Sequence, residues 1–138
     1  MIIMNKIYLD TNFLMDLLAR QDENTIIATN VVEKGKRLNL KFYVSFLSVA
    51  NFAYITRKQS KEVLYTNLSF ICELFNIESN DKNQIIQAKD LDGKDFEDAI
   101  QYETAIKAGC ECILTRHEKA YYFSKIPVLS PIDFLNSL

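Results

Sequence analysis

Two periods of apolar residues alternate along the chain. Ile7 to Leu9 is a short β-favouring apolar run with no turn residue inside it, which suits a central strand buried on both faces. Phe13, Leu14, Leu17 and Leu18 then recur at helical spacing. A polar break at Gln21 to Asn24 precedes a second helical stripe, Ile26, Ile27, Val31 and Val32, which ends in the basic, glycine-containing Lys34-Gly35-Lys36-Arg37. A second strand is expected at Lys41 to Val44. Ser45 and Ser48 both suit the N-cap of a helix carrying Ala50, Phe52, Ala53, Tyr54 and Ile55. Ser60 caps the next helix, with Val63, Leu64, Leu68, Ile71, Cys72 and Phe75 expected on its inner face, before a weak strand at Phe75 to Glu78.

Asp81 to Lys89 reads as a short helix and Leu91-Asp92-Gly93-Lys94 as a turn. The following helix opens with Asp95-Phe96-Glu97-Asp98 and runs to about Ala108, where Gly109 suits the position just past the end. Glu111 to Thr115 is a fourth strand. Ile126 to Leu129 is a fifth, placed at an edge by Pro127. Ser130-Pro131 starts a terminal helix with serine as N-cap and proline at the first helical position. Strands alternating with helices predict a three-layer α/β domain with a mainly parallel five-stranded sheet, a single domain over residues 1–138.

Composition narrows the function. The chain has 138 residues, 49% hydrophobic and 25% charged, enough for one core without staples. Its net charge of −2 provides no global basic field, so any RNA contact must rest on local lysines and arginines. Cys72, Cys110 and Cys112 are an odd set without zinc-ligand spacing, and one histidine is present. They read as reduced thiols of a soluble, cytoplasmic protein, with Cys112 in a core strand. The N-terminal Met-Ile-Ile-Met-Asn-Lys is too short for a signal region, and no apolar stretch approaches membrane-spanning length.

The candidate chemistry is acidic. Asp10 stands where the first strand stops and the first helix begins, a position that suits either an N-cap or a ligand-binding crevice. Asp95 and Asp98, three apart, share one face of a helical first turn, with Glu97 expected to point elsewhere. They either complement the helix dipole or join Asp10 across the sheet. Carboxylates brought together repel unless a divalent cation lies between them, and hard oxygen ligands suit Mg2+ or Mn2+. Thr115, Arg116 and His117 close the fourth strand and would open onto the same rim. Arg116, Lys119 and Lys125 suit phosphate or plain solvent. Asn51 points into the cleft or outward.

These stretches, in this order, resemble the PIN domain family, particularly the bacterial VapC-like toxins of toxin–antitoxin pairs. Leu9-Asp10-Thr11-Asn12 is similar to the family's opening motif. The likeness continues through the Ser45 to Tyr54 helix, Asp95 to Gln101, Ile113 to Arg116 and Val128 to Leu135. The resemblance implies a central first strand and a Mg2+- or Mn2+-dependent endoribonuclease site. Asp10 and Asp98 would be metal ligands with Asp95 as a neighbouring carboxylate, and Asn12 and Thr115 would orient ligands or water. It also implies RNA as substrate, an antitoxin protein as partner and a homodimer. The family usually carries glutamate where this chain has Asn51, Asn or Asp at His117, and Asp at Ala120; Glu97 or Glu118 are candidates to make up the charge. Two other readings stay open. One is a PIN-like module that binds RNA or protein without turnover; the other, from Asp10-x-Asn12 alone, is a haloacid dehalogenase-like phosphatase.

Overall fold

Ile7, Tyr8 and Leu9 are fully buried, and the reason is their position in the sheet. In the computed structural model, which describes residues 4–91 and 93–138, strand β1 (Lys6–Leu9) pairs in parallel with β2 (Lys41–Ser45) on one side and β4 (Cys112–Leu114) on the other. Ile7 stands opposite both Phe42 and Cys112. The edges are β3 (Asn76–Glu78) and β5 (Val128–Leu129), giving the order β3-β2-β1-β4-β5 with every pairing parallel. Pro127 does precede an edge strand, as its missing N–H requires.

The two-residue period of each strand sorts its side chains into two cores. Ile7, Leu9, Phe42, Val44, Cys112 and Leu114 pack on one face. They meet α1 (Thr11–Leu18), α2 (Glu23–Arg37), α3 (Phe46–Ile55), α4 (Lys61–Leu74) and α7 (Pro131–Asn136). Tyr8 and Ile113 point the other way, onto Tyr102 and Ala105 of α6 (Phe96–Lys107) and onto Tyr121 of the 3₁₀ turn Glu118–Tyr121. Helix α5 (Lys82–Asp90) packs beside α6 through Ala88, Ala99 and Ile100. The three layers expected from the alternation are present.

Local chemistry sets the element ends. Asp10, Ser45, Ser60, Asp95 and Ser130 each accept a hydrogen bond from a backbone amide in the first turn of the helix that follows. Gly109 takes φ 75° just past α6, and Asn39 takes φ 59° between α2 and β2, a left-handed conformation that asparagine tolerates. Helix α2 ends at Arg37, within the basic segment expected to close it, and Gly35 sits in its last turn where a Cβ would run into the Phe42 ring. The inner face of α4 is narrower than its apolar spacing suggests. Ile71 is buried, whereas Val63 and Cys72 are exposed, and Phe75 has left the helix as an extended cap. The turn expected at Leu91 to Lys94 includes Asp92, which lies outside the described residues. No helix among the described residues is long and apolar enough to cross a membrane.

Candidate functional site

Asp10 leaves β1 in an extended conformation and its carboxylate accepts the Phe13 amide at 3.1 Å. It therefore does cap α1. The same side chain lies at the C-terminal edge of the central strand, where the chain leaves toward β2 on one side while β4 flanks the other, the crevice position of open parallel sheets. The start of α6 faces it. Asp95 is the N-cap of α6, accepting the Glu97 amide at 2.8 Å, and Asp98 follows in the first turn. Asp10, Asp95, Glu97 and Asp98 line one cleft of about 350 Å³, together with Asn12, His117, Ala120 and Tyr121.

A buried polar network fixes this meeting of segments. Gln101, one turn beyond Asp98, donates to Ser48 Oγ at 2.9 Å and Thr11 Oγ1 at 3.0 Å, and accepts from the Tyr8 hydroxyl. Ser48 in turn meets the Ser45 hydroxyl at 3.0 Å. One amide thus ties β1 and the N-terminal ends of α1 and α3 to α6. Rotation of α6 would break these bonds among buried and half-buried groups, so the network holds Asp98 toward Asp10. Of the two expected cap serines, Ser45 is the cap and Ser48 belongs to this network.

The electrostatics are those of crowded acids. Burial, then the negative charges of Asp95, Asp10 and Glu97, push the half-buried Asp98 carboxyl up to about 6. Burial also raises Asp10, opposed by the Thr115 hydroxyl and the Phe13 amide. The Tyr121 phenol is pushed far up by burial and then by Asp10 and Asp98.

The remaining expected residues divide. Asn12 and His117 line the cleft, and Thr115 lies buried beside Asp10 with its Oγ1 accepting the His117 amide at 3.0 Å. Asn51 is not on the lining but donates to Glu97 Oε1 at 3.0 Å. Two expectations are corrected. Glu97 does not point elsewhere: at the second position of α6 its side chain swings back over the helix end to Asn51 and the cleft. Arg116 does not join the rim, because Asp16, almost fully buried, holds its guanidinium through two bonds of 2.8 and 3.1 Å. That pair lines a separate hollow with Glu118, which is not on the lining of the carboxylate cleft. Sequence reasoning missed Asp16 and Tyr121. The signal for Asp16 was an acid on the apolar face of α1; for Tyr121 it was a phenol where an apolar ring would serve the core.

The donor set fits a hard divalent cation in chemistry: four carboxylates with unrelieved mutual repulsion share one cleft. Among the described residues, no group of three or more His, Cys, Asp or Glu side chains is placed to hold a metal ion by itself. The fit is that of an open site, in which one or two carboxylates hold the ion and water or substrate oxygens complete it, as Mg2+ prefers.

Comparison with known proteins agrees with this architecture. A family model described as PIN domain matches residues 6–119. Ribonuclease VapC1 of Aquifex aeolicus (strain VF5) is 23% identical over 134 residues, covering 94% of this chain and 92% of that protein. Among solved structures, VapBC-1 from nontypeable Haemophilus influenzae superposes with a TM-score of 0.71 at 14% identity, over 92% of this chain and 98% of that one. A toxin–antitoxin complex from Klebsiella pneumoniae gives 0.68 at 22% identity, over 91% and 97%. The phosphatase reading of Asp10-x-Asn12 has no such support. With β1 at the centre of an all-parallel sheet, its terminal aspartate facing the acids of α6 and a family model spanning most of the sequence, the chain belongs to the PIN domain family.

Proposed function

We propose that this protein is a metal-dependent endoribonuclease of the toxin–antitoxin type, hydrolysing RNA phosphodiester bonds. The observation that carries this reading is that Asp10 and Asp98, from segments remote in the chain, line one cleft. A relative named as a ribonuclease supports the reaction, and similarity to toxin–antitoxin complexes supports an antitoxin partner. In this reading Asp10 and Asp98 hold Mg2+ or Mn2+, with Asp95 and Glu97 as adjacent carboxylates. Glu97, anchored by Asn51, adds on α6 a charge that Asn51 itself does not bring. Bound there, the cation lowers the pKa of a coordinated water and offsets charge developing at the phosphate. Thr115 steadies Asp10, while Asn12 and His117 stand at the edge of the cleft to orient the strand.

Asp10→Asn tests the assignment cleanly, since asparagine caps a helix about as well as aspartate and only the charge is lost. The variant is expected to melt at or above the parent's temperature without metal, since a buried charge is removed, to lose Mn2+ binding by calorimetry and to drop RNA cleavage at least ~100-fold. A variant that binds Mn2+ and cuts as the parent does sinks the site. Ala120, with no carboxylate on the lining, favours a second reading, a module that binds RNA without cutting it. Manganese binding by the parent with no cleavage of any RNA would select that module.

A further inference from the structure

Tyr121 ends the 3₁₀ turn that follows His117 and serves two surroundings at once. Its ring belongs to the core with Tyr8, Tyr102 and Ile113, and it also lines the carboxylate cleft. The residue is 3% exposed, yet its hydroxyl has no hydrogen-bond partner among the described residues. Neighbouring hydroxyls are all paired: Tyr8 with Gln101, Thr115 with the His117 amide, Ser48 with Gln101. A buried hydroxyl left alone is unfavourable, and native interiors seldom keep one without a reason.

The chemistry around it defines what it lacks. The cleft is rich in acceptors, with four carboxylates, and Ala120 beside Tyr121 brings neither donor nor acceptor. Burial among acids keeps the phenol protonated, so at neutral pH it is an O–H group able to donate. Its ring is packed 6.1 Å from that of Phe123, which fixes its direction. The hydroxyl is closed to solvent in the free protein, so the exposed 116–119 segment beside it must shift for an incoming group to reach it.

We propose that Tyr121 receives the scissile phosphodiester, donating a hydrogen bond from its hydroxyl to a non-bridging phosphate oxygen of a single-stranded RNA laid across the cleft. A phosphodiester oxygen is charged and accepts only, which matches a buried donor left unpaired beside a cleft rich in carboxylates. The assignment rests on the ribonuclease reading and adds to it a substrate contact that Asp10 and Asp98 do not make.

Tyr121→Phe removes a single atom that has no partner in the free protein. The full chain and this variant are compared in Mn2+, using a fluorescein-labelled 2′-O-methyl oligoribonucleotide that resists cleavage, with affinity read by anisotropy. The variant is expected to bind this strand ~10-fold more weakly. It should also keep the parent's Mn2+ affinity by calorimetry and melt at the same temperature or higher. Equal strand affinity overturns the assignment and leaves the ribonuclease reading standing; it is the result expected if the hydroxyl merely holds an ordered water. Loss of Mn2+ binding in the variant also overturns it, placing Tyr121 with the metal ligands. A parent that binds Mn2+ but no strand overturns both readings together.

Discussion

An ionised Asp98 lies against three other acids, and its raised value of about 6, against an ordinary 3.8, has a definite pH consequence. The fold favours its protonated form. That contribution is fully present below about pH 4 and is lost as pH rises through about 6. Without metal, stability is therefore expected to fall between pH 4 and 7, and Asp98→Asn to remove part of the fall. At pH 7 the variant should melt ~2–4 °C above the parent, a modest gain because the half-buried side chain is partly screened by solvent. Thermal melts in chelator across this pH range check it; identical curves would mean that neither burial nor the neighbouring acids raise Asp98. Asp10 and Asp98 were legible as candidates because one ends an apolar strand and the other opens a helix. Glu97 was not. Spacing of three places two residues on a helix face but does not say how a longer side chain turns at a free helix end, nor that Asn51 waits there to hold it. Arg116 was misread for a related reason: its partner Asp16 lies on α1, and no local pattern joins the two.

At the scale of elements, the decisive piece is the Gln101 knot under the cleft. Gln101→Leu keeps the volume but leaves the Tyr8 hydroxyl without its acceptor and costs Thr11 and Ser48 a bond each. The expected loss is ~2–4 kcal/mol, read from the denaturant midpoint. Because the knot also sets the rotation of α6, Mn2+ affinity should weaken in the same variant, which touches no carboxylate. A drop in stability with unchanged Mn2+ affinity would separate the knot from the site. The helices themselves were readable from their caps, since Asp, Ser and Pro at helix starts act through neighbouring amides and need no tertiary information. Gly35 was not readable: its position reflects the approach of Phe42 from another element, and a chain pattern carries no record of such closeness.

For the whole molecule, a net charge of −2 and an acidic cleft set the manner of nucleic-acid binding. A basic protein displaces many counterions from RNA, whereas in this chain 18 Asp and Glu outnumber 16 Lys and Arg, so on the ribonuclease reading a bound metal would supply much of the attraction. With about two phosphates neutralised, RNA affinity should fall only ~5–10-fold between 50 and 200 mM salt. A steeper loss, measured by anisotropy in constant Mn2+, would reveal a basic surface that this account lacks. The layered parallel architecture was open to inference because a wholly apolar Ile7-Tyr8-Leu9 must be covered on both faces, which requires helices on each side. The resemblance implies a central first strand, but no pattern within the strands says that β4 is the one beside β1.

That pairing has a consequence during synthesis. A ribosome delivers Asp10 well before the strand that must lie beside it, β4 at Cys112–Leu114. Until then the first aspartate has no finished neighbourhood, and α6, though already made, lacks the strand on which its inner face rests. On the ribonuclease reading, a nascent polypeptide is therefore harmless to the message being translated until β4 has emerged.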